Sequence, residues 1–283
     1  MGIIDNSMLV NITLSVWSGR KLDRQVSEEI DVAKSTRTRA GNYNKNLFAG
    51  VVELETVIAV SKAIRLWHQR QTLPWSDGGE RLLPLPNFLA YKQGLMEWES
   101  KFNDVVQDFC DKYPSLISAQ AFQMGALFDR TEYPVADQIR HKFYIGYTFS
   151  PVPGTQDWRV QTDADLRHEL EVQYQRAYDE RVAKVTKDLW DRLHACLTHM
   201  SDRLSDGDEG KRKIFRDSLL TNAVELCGML TRLNVMNDPA LEVARKHLES
   251  TLVGLDAKDL RKDEGARKEI KASVDAILQR FEW

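Results

Sequence analysis

The chain has 283 residues, 42% of them hydrophobic and 29% charged, with a formal net charge of −3. That length carries a sizeable core in one large or two small domains. The near-neutral balance excludes a uniformly basic nucleic-acid coat, so any nucleic-acid contact must be a local patch.

The first signal in chain order is a period of two. Val10, Ile12, Leu14 and Val16 alternate with Asn11, Thr13, Ser15 and Trp17. This predicts a half-buried strand over residues 10–17, ended by the Ser18-Gly19 pair. Val26, Ile30 and Ala33 then space as a short acidic helix. A stretch with a different composition follows, in which Lys34, Arg37, Arg39 and Lys45 supply four cations and no acid intervenes. It also holds Asn42, Tyr43 and Asn44. Asn and Gly favour turns, so residues 34–46 are expected to be a loop.

Leu47, Val51, Leu54, Ile58 and Trp67 mark one stripe of a helix that stops before Pro74. Asp77-Gly78-Gly79 predicts a hairpin turn after Trp75. Leu89, Met96, Phe102, Val105 and Phe109 mark a second helix, and Pro114 is placed at the start of a third that runs to Phe128. Phe143, Ile145, Tyr147 and Phe149 share one face of a second strand, expected to pair with residues 10–17 in a small antiparallel sheet. Trp158-Arg159-Val160 is a candidate return strand.

From residue 164 to about 204 there is no Pro or Gly, and apolar residues from Leu166 to Met200 recur at three and four. One helix of roughly 40 residues, about 60 Å long, is expected. Any part of its stripe left uncovered should be an oligomer or partner interface. A polar linker at 205–210 and three further helical patterns, at 211–233, 239–252 and 264–281, complete the chain. The expected architecture is α+β: a mixed part over 1–163 with a small antiparallel sheet, and an all-helical part over 164–283 led by the long helix.

No reaction motif is present. His194 and His199 are five apart, whereas two ligands on one helical face need a spacing of four. Cys110, Cys196 and Cys227 form no CxxC pair and are expected as buried, reduced thiols. Asp129, Glu132, Asp137, Asp163 and Asp165 lack the Glu-x-Lys context of two-metal nucleases. There is no phosphate-binding glycine loop, dinucleotide fingerprint or nucleophile elbow. Neither a metal nor a cofactor is expected. No apolar run approaches a membrane span, and residues 1–7 do not read as a signal peptide.

The clearest functional pattern is therefore cations interleaved with amides and an aromatic, which suits phosphates and unstacked bases. The candidate contacts are Lys34, Arg37, Arg39, Asn42, Tyr43 and Lys45, extended by Arg70 and Trp75. The bland reading of the stretch is a solvated surface loop.

Val16–Leu22, residues 38–45, residues 72–77, residues 149–153 and residues 215–227 resemble a phage and prophage protein family catalogued as a domain of unknown function. The resemblance extends over nearly the whole chain and carries no catalytic residue. It implies a phage-encoded protein of the bacterial cytoplasm, from a setting of DNA replication and recombination genes. A MoxR-like AAA+ ATPase is sometimes encoded nearby. The expected function is non-enzymatic binding of single-stranded DNA in phage recombination or replication. The alternatives are an adaptor that docks the ATPase or another protein, and an anti-defence protein that blocks a host factor.

Overall fold

The computed structural model describes residues 3–153, 164–205, 213, 215–281 and 283. The elements run in the order α1 (Ile3–Asn6), β1 (Ser7–Ser15), β2 (Arg20–Asp23), α2 (Arg24–Ala33), β3 (Tyr43–Asn46), α3 (Val52–Gln71), β4 (Leu73–Pro74), β5 (Arg81–Pro84) and α4 (Phe88–Met124). There follow α5 (Ala136–Ile139), β6 (Tyr144–Pro151), α6 (Ala164–Leu204), α7 (Ser218–Leu233), α8 (Pro239–Leu252), α9 (Ala257–Lys262) and α10 (Glu264–Arg280).

The fold is α+β. A four-stranded antiparallel sheet has the order β4-β5-β1-β6, so the two strands foreseen from alternation are neighbours. β5 pairs with β1 from Ser7↔Pro84 to Val10↔Arg81 and with β4 at Leu73↔Leu82. The turn between β4 and β5 contains Asp77-Gly78-Gly79, with Gly79 at φ 95°, a conformation that favours glycine. The candidate strand at 158–160 and the boundary at residue 163 lie outside the described residues.

By contact, the chain groups into two units that do not follow chain order. One holds residues 1–11, 69–91 and 148–283; the other holds residues 12–68 and 92–147.

In the first unit, α6 is a single helix of 41 residues, as its uninterrupted pattern predicts. Val185, Leu189, Leu193, Leu197, Met200 and Leu204 are buried at spacings of four and three. They pack in one core with Ala223 and Cys227 of α7, Leu248 of α8 and Ile277 of α10. Among the described residues the earlier part of the stripe is only partly covered: Leu170 and Ala177 are half-buried and Tyr174 is 49% exposed. The last carbonyls of α6 are satisfied by a buried guanidinium, since Arg267 donates to the backbone of Arg203, Leu204 and Ser205 at 2.9–3.1 Å. Among the described residues four helices follow α6, because the short α9, capped by Asp256, precedes α10.

The second unit is built on aromatic rings. Phe48, Phe109, Tyr113 and Tyr133 meet with centroids 5.3–5.8 Å apart. The Tyr133 hydroxyl donates to the Leu47 carbonyl at 2.9 Å.

Three expectations fail here. Pro114 does not start a helix; it lies inside α4, which is 37 residues long. The buried residues Phe102, Val106, Phe109, Tyr113 and Ile117 pass straight through it at helical spacing. Burial of that stripe outweighs the one hydrogen bond and the local clash that proline costs. The core stripe of α4 also differs at its start: Tyr91 and Leu95 are buried, while Leu89 and Met96 face solvent. Lastly, residues 47–50 form a turn ending at Gly50, φ 73°, before α3 begins. Leu47 and Phe48 are nonetheless buried.

Candidate functional site

The basic stretch lies in the second unit, on an excursion that leaves β2 and returns through β3. Asp23 ends β2 and caps α2, its carboxylate accepting the Val26 amide at 3.1 Å. Ser27, in the first turn of α2, donates to the Asp23 carbonyl and accepts the Tyr43 amide at 2.9 Å. The start of β3 is thereby tied to the start of the helix. β2 and β3 pair antiparallel from Arg20↔Asn46 to Asp23↔Tyr43.

At the other end of α2 the amides of Lys34, Ser35 and Thr36 donate to the carbonyls of Ile30, Val32 and Asp31, each at 3.0 Å. Ser35 sits at φ 53° to make that turn. The Thr36 hydroxyl bonds the Asp31 carbonyl at 3.2 Å, and the Asp31 carboxylate accepts the Ala40 amide at 3.3 Å. The loop is therefore folded back along the last turn of α2. It encloses a groove of about 310 Å³ bordered by Ile30, Asp31, Lys34, Thr36, Asn42 and Tyr43.

Lys34, Arg37, Arg39 and Asn42 are exposed, and Tyr43 is half-buried. Among the described residues, Lys34, Arg37 and Arg39 form no ion pair. Lys34 closes the carboxyl end of α2, where a cation also complements the helix dipole. Arg37 and Arg39 make no hydrogen bond or ion pair among the described residues.

Two expectations in this stretch need correction. Residues 43–46 are a strand, not loop: paired with β2, they bury alternate side chains despite their polar composition. The consequence falls on Lys45, which is only 5% exposed. Its ammonium lies 2.6 Å from Glu132 and 3.1 Å from Asp23, and donates to the Leu127 carbonyl at 3.1 Å. Burial acts to lower the Lys45 pKa, but the bonds to Glu132 and Asp23 outweigh it and hold the group above the ordinary lysine value. The Val26 amide, followed by Lys45, keeps Asp23 below its usual range. Lys45 is a structural cation, closed to a phosphate.

The two extensions of the patch belong to the first unit. Arg70 is exposed near the end of α3. Trp75 is 2% exposed, packed edge-on against Tyr178 at 6.1 Å with the Arg181 guanidinium over its ring. It is a core residue and has no face to offer a base. Arg81 and Arg192 converge on the carboxyl end of α3: Arg192 donates to the carbonyls of Gln69, Arg70 and Thr72 at 2.7–2.9 Å, and Arg81 to those of Gln69 and Thr72 at 3.1–3.3 Å.

Sequence reasoning missed Asp31, Thr36 and Ser27, which shape the loop. Apart from the bond of Ser27 to Asp23, four residues back, their partners lie five to sixteen residues away. Elsewhere, no cluster of three or more His, Cys, Asp or Glu side chains that could hold a metal occurs among the described residues. Burial pushes the Cys196 thiol up to about 12 and Cys227 up to about 11, so neither is a poised nucleophile. No described helix is long and apolar enough to cross a membrane.

No family model, curated protein or solved structure matches the chain.

Proposed function

We propose that the protein binds nucleic acid, preferring single-stranded DNA, through the loop between α2 and β3, and catalyses no reaction. The supporting observation is that Lys34, Arg37 and Arg39 are exposed together on a folded-back loop, without ion pairs among the described residues, beside Asn42 and Tyr43. Cations so placed neutralise backbone phosphates, and the half-buried tyrosine offers a ring to an unstacked base. The inferred process, phage recombination or replication, rests on the sequence resemblance alone.

A polarisation titration with single- and double-stranded oligonucleotides at two salt concentrations tests this. Three phosphate contacts on a single strand give a slope of log K against log salt of about −2. Replacing Arg37 and Arg39 with Ala removes about two-thirds of that slope. Tyr43→Ala costs about 1–3 kcal/mol with the slope retained. Parent-like binding by both variants, or no binding by the parent, removes the proposal.

A second reading, an adaptor that docks an ATPase or another protein, is favoured by Phe122 of α4, 91% exposed. Co-purification lost on Phe122→Ser, without DNA binding by the parent, would move the assignment there.

A further inference from the structure

We propose that the groove between the loop and the last turn of α2 is a nucleobase pocket selective for an unpaired guanine. This rests on the nucleic-acid reading above and names what that site selects. The groove, about 310 Å³, is at the small end of ligand pockets and suits one nucleoside-sized group, not a base pair. Ile30, 46% exposed, and the half-buried Tyr43 supply apolar and aromatic wall. The lining also holds the Asp31 carboxylate, whose Oδ1 accepts the Ala40 amide while Oδ2 has no bond among the described residues.

A carboxylate only accepts, and its two oxygens retain free lone pairs. Guanine alone among the DNA bases has two adjacent donors on its Watson–Crick edge, the ring N–H and the exocyclic amino group, and these match the two oxygens. Adenine and cytosine present one amino group there, and thymine one ring N–H. The Asp31 carboxylate disfavours phosphate beside it, which is left to Lys34 on the groove's border and to the exposed Arg37 and Arg39. Guanine shows that edge only when unpaired, so a preference for single strands follows from the pocket. Those three cations disfavour the competing occupant, an arginine or lysine side chain of a partner protein.

The test uses the full chain and labelled deoxythymidine oligomers carrying one central guanine, inosine, adenine or thymine. Guanine should bind about tenfold more tightly than thymine, and adenine and inosine, which lacks the amino group, like thymine. Asp31→Asn keeps an acceptor for the Ala40 amide but turns the other position into a donor. It should erase the guanine preference and leave affinity for the all-thymine strand and the thermal midpoint unchanged. Equal binding of all four strands by the parent overturns the pocket and leaves the nucleic-acid reading standing. Guanine preference that survives in Asp31→Asn also overturns the pocket. Failure of every strand to bind overturns both.

Discussion

Lys45 shows how far one side chain's role depends on what it faces. In sequence it is the fourth cation of a basic run; in the fold it is the centre of a triad with Asp23 and Glu132. Removing it would take the close cation from two carboxylates that are only 12–13% exposed, leaving Asp23 with the Val26 amide and Glu132 with Lys21 at 3.8 Å. We expect Lys45→Met to lower the thermal midpoint by on the order of 5–10 °C, read by differential scanning calorimetry. Oligonucleotide affinity of the folded fraction should stay at the parent level; a drop as large as that of the Arg37/Arg39 variant would return Lys45 to the interface. The pH dependence has a fixed sign on each side. The Lys45 pKa is raised, so its contribution is complete below the ordinary lysine value and lost as pH climbs through the folded value. The Asp23 pKa is lowered, so its contribution is complete above the ordinary aspartate value and lost as pH falls through the folded one. The stability that the parent gains over Lys45→Met should therefore be flat near neutrality and shrink at both extremes.

Among the elements, α3 and α4 show where sequence periodicity is a good guide and where it is not. Gly94 of α4 faces Trp67 of α3, and a methyl group there would lie 2.7 Å from the indole ring. Gly94→Ala gains about 1 kcal/mol in helix propensity. Forcing a methyl against a rigid ring costs about 1–3 kcal/mol. We expect net destabilisation in a urea melt; a stabilised variant would mean that the ring moves aside freely. The strands β1 and β6 and the long α6 were legible because alternation and an unbroken run of threes and fours are local signals. The continuity of α4 was not, since Pro114 is a local stop sign overruled by aromatic packing that only the folded unit reveals. β3 was invisible for a related reason: its four residues, Tyr-Asn-Lys-Asn, carry no apolar alternation, and its pairing with β2 is made some twenty residues away.

For the molecule as a whole, the grouping of residues 69–91 with the C-terminal helices was hidden because its bonds span long sequence distances. Arg192 reaches carbonyls 120–123 residues earlier, and Trp75 is buried against a tyrosine of α6. Composition therefore located three of the exposed cations on the candidate loop but misjudged Trp75 and Lys45, whose burial is decided by remote partners. The pairing of β2 with β3 has a different kind of consequence. Because Arg20 lies opposite Asn46 and Asp23 opposite Tyr43, the chain leaves β2 and re-enters β3 at neighbouring points. Everything between is topologically an insert, closed by a hairpin that needs only two residues to turn. Replacing residues 24–42 with Asn-Gly should yield a folded protein with its other helices intact by circular dichroism and its oligonucleotide binding gone. The binding element is in that sense a removable cassette, open to exchange for another loop while the scaffold beneath it stays the same.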